Sequence, residues 1–195
     1  MYLGRLIAGF VGFIIFIIIL VMLFGHGGKK PAPLNPIKPL AEYAQTDATV
    51  TFTSDGIVNG DELHRAIRIT ISANQRQLDV LQGYNPQVIQ SKTFINNQEA
   101  YTVFLKAIAR SGFVAKLKNS KAPADERGVC PLGFRYILTL NDGSDDISRL
   151  WASTCGSKVG TSGGAITTLH SLFQAQIPNY QTLTSQVNLS ATREQ

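Results

Sequence analysis

Residues 130–155 read CPLGFRYILTLNDGSDDISRLWASTC, and this stretch decides the fold. Two segments rich in apolar and β-branched residues flank a polar turn. Asp142-Gly143 within that turn favours the positive φ of a two-residue hairpin loop. A hairpin centred there sets three expected cross-strand pairs: Tyr136 with Arg149, Phe134 with Trp151 and Leu138 with Ile147. The stretch therefore predicts two antiparallel strands joined by a tight turn.

The same register places Cys130 opposite Cys155, the two cysteines of the chain. The position is a non-hydrogen-bonded one, where facing Cα atoms lie closest and a disulfide can bridge the strands. Because the turn alone fixed the register, the match predicts a Cys130–Cys155 disulfide. The alternative is a pair of buried free thiols in a reducing compartment.

Three aromatic side chains of this hairpin, Phe134, Tyr136 and Trp151, are expected on one sheet face around Arg149. If a helix covers that face, the aromatic residues belong to the core. If the face is open, it forms a platform for a sugar ring or a peptide. These four residues are therefore the candidate binding site.

An earlier hairpin is predicted around Asn59-Gly60, the strongest short-range turn signal. Apolar residues alternate with polar ones on both sides of it, at Val50, Phe52, Ile67, Ile69 and Ile71. A two-residue turn there sets two pairs: Phe52 with Ile67 and Val50 with Ile69. Two shorter strands are expected over 77–81 and 88–94.

The clearest predicted helix follows these strands. Asn96 lies three residues before Glu99, which resembles a capping box. One apolar face follows it: Tyr101, Phe104, Leu105 and Ile108. Gly112 suits the left-handed position after a helix, and Phe113 suits the apolar contact that closes the motif. A second helix is expected over 165–176, before Pro178.

Together these elements predict an α+β domain over 41–180, with antiparallel β-hairpins and two helices packed on the sheet. A polar, mobile tail is expected over 181–195. Each hairpin carries an Asp-Gly and an arginine early in its second strand: Asp55-Gly56 with Arg65, and Asp142-Gly143 with Arg149. This similarity suggests a duplicated ββα unit.

The first forty residues predict a membrane anchor. After a short tail over 1–5, residues 6–24 are an unbroken run of nineteen uncharged, mostly apolar residues. As a helix, such a run nearly spans the ~30 Å hydrocarbon core of a bilayer. A cleaved signal peptide has a shorter apolar core and a small-residue cleavage site, so a signal anchor is favoured. Residues 25–40, rich in Gly and Pro, predict an extended linker.

The orientation of this anchor has two readings. Lys29 and Lys30 follow the helix, and the positive-inside rule would place them in the cytoplasm. The short N-terminal tail and the predicted disulfide favour export. We therefore expect a single-pass plasma-membrane protein with an extracytoplasmic C-terminal domain. Gly4, Ala8 and Gly12 recur on one helix face and are the candidate contact for a homo-oligomer.

The net charge of +5 does not indicate a nucleic-acid partner. Four of the 18 basic residues and none of the 13 acidic residues lie in 1–40, so residues 41–195 are close to neutral. A near-neutral domain lacks the basic footprint that phosphate backbones require. The expected partners are the lipid bilayer and an envelope protein or polymer.

The sequence contains one pattern that is typical of a catalytic serine. Residues 160–164 match G-x-S-x-G, with Ser162 as nucleophile and His170 as its candidate base. The hydrolase order Ser, acid, His fails, because Glu194 is the one acidic residue after Ser162. The alternatives are a flexible connection that caps the next helix and an anion site formed by the Gly-rich 156–164 loop. The isolated histidines and the two cysteines give no spacing for a metal or a cofactor.

The sequence thus predicts a non-enzymatic, membrane-tethered module that binds another component of the cell envelope. Two alternatives stay open. One is an envelope hydrolase or transferase that uses Ser162 and His170. The other is a structural subunit that assembles through its transmembrane helix.

Overall fold

The structure is a computed structural model that describes residues 37–156 and 159–190. The predicted membrane helix over 6–24, its Gly4, Ala8 and Gly12 face, and most of the 25–40 linker lie outside the described residues. Within the described part of the chain, no helix has the length and apolarity that crossing a membrane requires. The described residues belong to one unit that begins at Ile37.

Six strands form one sheet in which every neighbouring pair is antiparallel, in the order β4-β3-β2-β1-β5-β6. The strands are β1 (Ala48–Asp55), β2 (Arg65–Ile71), β3 (Gln75–Gln82), β4 (Gln87–Ile95), β5 (Arg135–Asp142) and β6 (Asp145–Ser153). The predicted α+β class with antiparallel hairpins is therefore confirmed.

One short helix precedes the strands, and the other helices follow them in two groups. A 3-10 helix (Leu40–Gln45) precedes β1, α1 (Gln98–Arg110) follows β4, and α2 (Ile166–Gln174) and α3 (Tyr180–Thr184) follow β6. Four strands precede α1 but only two lie between α1 and α2. The chain is therefore not two copies of one ββα unit.

Both ends of α1 are set by local chemistry. Its N-cap is Asn97, whose side chain accepts from Ala100 N at 2.9 Å, one residue later than the predicted cap at Asn96. At the other end Gly112 has a φ of 77°, and Phe113 N donates to Ile108 O at 3.1 Å. This is the predicted left-handed ending with its six-to-one hydrogen bond.

One face of the sheet packs against the helices and carries the core. Its largest buried members are Phe52, Ile69, Leu78, Leu138 and Leu140 from the strands, and Tyr101, Leu105, Leu169 and Phe173 from the helices. Along β1 these buried positions alternate with half-buried ones, because successive side chains point to opposite faces. We call the second face, which carries Thr51 and Thr53, the open face.

The register of the first hairpin differs from the prediction by two residues. Phe52 pairs with Ile69 and Val50 with Ile71, because residues 56–64 form a long loop and Asn59-Gly60 is not a two-residue turn. Gly60 accepts from Leu63 N and His64 N inside that loop. An even shift keeps the apolar side chains on the predicted face.

The register of the second hairpin differs by an odd number of residues, with a larger consequence. The turn residues are Gly143-Ser144, and a bulge lies between Leu140 and Asn141. Tyr136 therefore pairs with Ala152 and Trp151 with Ile137, rather than with Arg149 and Phe134. An odd shift moves one strand's side chains to the opposite face.

The predicted disulfide is present, with 5.5 Å between the Cα atoms of Cys130 and Cys155. Neither cysteine lies in a strand, so the bridge joins the two segments that flank the β5–β6 hairpin. Gly133 lies against it: a Cβ there would come within 2.5 Å of the Cys130 sulfur. The prediction of a Cys130–Cys155 disulfide is confirmed, although the strand register from which it was predicted is wrong.

Both edges of the sheet are interrupted. On β4 a bulge falls opposite Val80 and Leu81, and Lys92 pairs with Leu78 and so lies on the helix side. On β6 the last residues are bridged by the chain that returns from the disulfide, at Ala152 and Gly160. Bulges and charged residues that face inward are recognised protections of exposed strand edges.

The prediction of a mobile tail over 181–195 is wrong as far as residue 190. Residues 180–184 form α3, and Leu183, Val187 and Leu189 pack against the core. Leu189 O also accepts from Ile57 N at 3.0 Å, next to the end of β1. The sequence pattern concealed this because three separated apolar residues in a polar segment show no period. Residues 191–195 lie outside the described part.

Candidate functional site

A groove of about 270 Å³ opens on the open face, at the end of the sheet where β1 and β3 finish and β2 and β5 begin. Its floor is apolar and consists of Ala66, Leu81 and Ile137. Loops 56–64 and 83–86 and the segment that contains Glu126 raise its walls. We call this depression the groove.

Asp55 stands at the end of β1 and is held by two buried basic groups. Its Oδ1 lies 2.8 Å from His64 Nε2, and its Oδ2 accepts from Arg135 Nε at 2.7 Å. The other His64 nitrogen lies 3.1 Å from Ile57 O, and Arg135 also donates to Gly56 O. All the polar atoms of this network therefore have partners, as buried groups require.

Arg68 and Asp79 face each other across β2 and β3. Asp79 Oδ2 accepts from Arg68 Nη2 at 2.8 Å and from Nε at 3.3 Å. Burial alone would raise the pKa of Asp79, but hydrogen bonds from Gln77, Arg68 and Ser91 outweigh it and hold that pKa below its usual value. The carboxylate side chain is 3% exposed and the arginine side chain 35%, so the positive group faces the solvent.

Arg149 and Glu126 repeat this arrangement on the other wall. Arg149 Nη2 donates to Glu126 Oε1 at 2.7 Å and to Oε2 at 2.5 Å. The arginine side chain is 43% exposed and the glutamate side chain 11%. Each carboxylate thus fixes its arginine, and the arginine is the more exposed member of each pair. Arg127 adds a third guanidinium group to the lining of the groove.

One exposed aromatic side chain, Tyr84, lines the groove at its rim. Tyr84 stacks on His64 with 4.2 Å between ring centroids, and its hydroxyl donates to Asn59 O at 2.9 Å. The described residues leave seven large apolar side chains exposed, and five of them lie on the segments around this end of the sheet: Val58, Tyr84, Val88, Ile89 and Leu132. Apolar groups concentrated at one place on a surface mark an interaction site.

A shallower depression of about 440 Å³ adjoins the groove on the open face. Threonine hydroxyls line it, at Thr51, Thr53, Thr70 and Thr139. Arg68 and Thr53 belong to both depressions, so the two are continuous. The open face therefore offers an apolar end and a hydroxyl-lined approach, with Arg68 at the junction.

The structure separates the four residues of the predicted aromatic platform. Trp151 is buried, and its Nε1 donates to Pro123 O at 2.9 Å, so the segment before β5 covers it. Tyr136 lies on the helix side, where its ring packs on Phe52 with 5.8 Å between centroids. Phe134 precedes β5 and is half-buried. Of the four, Arg149 alone lines the groove.

Ser162 and His170 are not brought together by any hydrogen bond within the described residues. Ser162 Oγ accepts from Gly164 N at 3.2 Å, whereas His170 Nε2 lies 3.3 Å from Ser54 Oγ and 3.1 Å from Gln174 Nε2. His170 also stacks on Phe52, and burial lowers the pKa of its ring. His170 is therefore half-buried beside the core, where its ring packs on Phe52.

Within the described residues of the Gly-rich loop, the three amides of Thr161, Ser162 and Gly163 are taken by carbonyl groups of the chain itself. The amides of Thr161 and Ser162 donate to Trp151 O, and that of Gly163 donates to Ala115 O at 2.7 Å. The N-cap of α2 is Ala165, which makes no side-chain capping bond. The hypotheses of an anion site and of a helix cap at Thr161 or Ser162 therefore find no support in this geometry.

Sequence reasoning missed Arg68, Asp79 and Glu126. A signal existed for the first two, because each is a charged residue between two apolar neighbours, isoleucines on β2 and a leucine and a valine on β3. Their pairing needed the β2–β3 register, and Glu126 lies in an irregular segment without a period. Within residues 37–156 and 159–190, no three His, Cys, Asp or Glu side chains are grouped as metal ligands.

The features that indicate a function are the arginines, the apolar floor and the exposed rim of the groove. No family model matches the sequence, and no curated protein sequence is similar to it.

Proposed function

We propose that the chain is a single-pass membrane protein whose extracytoplasmic α+β domain binds another envelope component in the groove, without catalysing a reaction. The observation that carries the proposal is a coincidence of three features at one end of the sheet. They are a concave apolar floor, two arginines that are each held by a carboxylate, and the exposed Tyr84 at the rim, with four more exposed apolar side chains on the neighbouring segments. Binding sites combine concave apolar walls with a few oriented polar groups in this way.

Attachment to a membrane is supported by the sequence. The apolar run over 6–24 is long enough for an anchor, and a segment rich in Gly and Pro follows it. The Cys130–Cys155 bridge supports an oxidising compartment, because disulfides are rare where thiols are kept reduced.

Binding is favoured over catalysis by the state of the titratable groups in the groove. Both oxygens of Asp55 face basic donors, and both ring nitrogens of His64 face acceptors. A general base needs a free lone pair, on a nitrogen or an oxygen atom, within hydrogen-bond reach of the proton that it takes. Neither group has one to offer without breaking the network that holds it.

A photo-crosslinking experiment tests this proposal. The full chain is expressed in its own cells with benzoylphenylalanine in place of Tyr84, on the groove rim, and separately in place of Val103, which is exposed on α1. Irradiation of intact cells should give one discrete adduct from position 84 and none from position 103. The proposal fails if position 84 gives no adduct, or if both positions give the same ones.

A further inference from the structure

We infer that the groove takes the C-terminal residue of a peptide, with the terminal carboxylate on Arg68 and an apolar side chain on the floor beside it. This inference rests on the proposed function and names the chemistry of its ligand. Three features of the groove support it: the hydrogen-bonding capacity that Arg68 keeps, the position of the floor and the size of the two depressions.

Arg68 retains donors that point away from its partner. Its Nε and Nη2 donate to Asp79, and its Nη1 has no hydrogen-bond partner within residues 37–156 and 159–190. Both oxygens of Asp79 are occupied, since Oδ1 accepts from Gln77 and Ser91. A guanidinium held in this way is preorganised for a carboxylate, because the flat fork of N–H donors matches its two oxygens.

The groove floor lies next to this donor. Ala66 is two residues before Arg68 on β2, on the same face and about 7 Å away along the strand. Leu81 pairs with Ala66, and Ile137 pairs with Thr53, the β1 partner of Arg68. A carboxylate and a side chain on one terminal residue span a distance of this order. A ligand with both groups on one carbon atom therefore satisfies the donor and the floor together.

The remaining charges do not oppose an anion. Asp55 and Glu126 both line the groove, but their oxygens are taken. His64 and Arg135 take those of Asp55, and Arg149 takes both of those of Glu126. The groove, at about 270 Å³, is smaller than the ~300–1,000 Å³ typical of sites for drug-sized ligands, so it accepts one terminal group. The threonine-lined depression continues from Arg68, where hydroxyls can pair with the preceding peptide groups. This continuity favours a chain end over a compact free acid.

Fluorescence anisotropy with the full chain in detergent micelles tests the inference. The probes are fluorescein-labelled hexapeptide pools that are randomised at five positions and end in leucine, one pool as the free acid and one as the amide. We expect the acid pool to bind about tenfold more tightly or better, since charged hydrogen bonds are lost with the amide. Equal affinity for both pools would overturn the inference.

Variants locate the carboxylate. Arg68→Gln alone leaves the buried Asp79 unpaired, so the Arg68→Gln, Asp79→Asn double variant is used beside it, with Arg110→Gln on α1 as the matched control. The preference for the acid should disappear in the double variant and persist in the control. A preference that survives the double variant contradicts the assignment to Arg68.

Two further outcomes are informative. One distinguishes a peptide ligand from a free acid, and the other distinguishes a failure of the carboxylate inference from a failure of the proposed function. N-acetyl-leucine that competes as strongly as the unlabelled acid pool would assign the site to a free amphipathic acid and overturn the peptide assignment. If neither pool binds while position 84 still crosslinks in cells, the groove is a binding site and the carboxylate inference is wrong. If position 84 does not crosslink, the proposed function itself fails.

Discussion

Replacing Asp55 with asparagine removes the carboxylate that neutralises a buried arginine. The Arg135 side chain is 3% exposed and that of Asp55 20%, so their ion pair lies mostly out of water. Asparagine keeps the volume and one carbonyl oxygen. Its oxygen can still accept from Arg135, and its amide can donate to His64 Nε2, so the hydrogen bonds can be kept. The negative charge opposite the buried arginine is lost.

The expected cost follows from this geometry. Removing one partner of a buried ion pair costs ~3–5 kcal/mol, because the other charge is left uncompensated. Since Asp55 is partly exposed and water can reach the site, we expect the lower end, about 3 kcal/mol of the free energy of unfolding. This is a large share of the ~5–15 kcal/mol total of a typical domain.

Urea unfolding followed by circular dichroism measures the change. Asp55→Asn should lower the midpoint at an unchanged slope, which indicates lost stability and no change in the surface exposed on unfolding. Asp145→Asn, at the exposed tip of the β5–β6 hairpin, is the matched control and should change the free energy by less than ~0.5 kcal/mol. A cost for Asp55→Asn below ~1 kcal/mol would refute the reasoning, because a buried uncompensated charge cannot be that cheap.

Two further predictions concern the helix side and the disulfide. Burial lowers the pKa of His170, so the unfolded chain binds a proton near the usual pKa of 6.5 that the folded domain does not. The free energy of unfolding should therefore fall as the pH drops below 6.5, and His170→Gln should reduce that fall in urea titrations at pH 7.5 and 5.5. Gly133→Ala should lower the thermal midpoint and slow disulfide formation in a free-thiol assay, because its Cβ would meet the Cys130 sulfur at 2.5 Å. Gly60→Ala, which meets nothing within 4 Å, should do neither.

Elements fixed by local chemistry could be predicted from the sequence. Helix α1 has its apolar stripe and its glycine ending encoded within some twenty residues, so the prediction was wrong only in the position of the N-cap. The strands were found from their alternation. Their registers were not, because the bulge at Leu140 and Asn141 and the length of the 56–64 loop leave no local pattern.

The candidate site could be predicted far less well. The sequence analysis identified Arg149 as part of a binding site, but only because aromatic residues were expected beside it. The odd register shift moves those aromatic residues to the other face or into the core. The groove depends on partners that are distant in the chain: Arg135 reaches Asp55 across 80 residues, and Arg149 reaches Glu126 across 23. Such pairs become visible only once the strand order is known, because charge alone does not say which residues meet.

The interrupted edges affect how neighbouring copies of the domain can associate when they are crowded together. These interruptions are the bulge and Lys92 on β4, and the bridge between Ala152 and Gly160 on β6. Main-chain pairing between neighbouring copies would join sheets without limit, in the manner of a fibre. Because both edges are interrupted, a long and continuous pairing of strands between neighbouring copies is disfavoured.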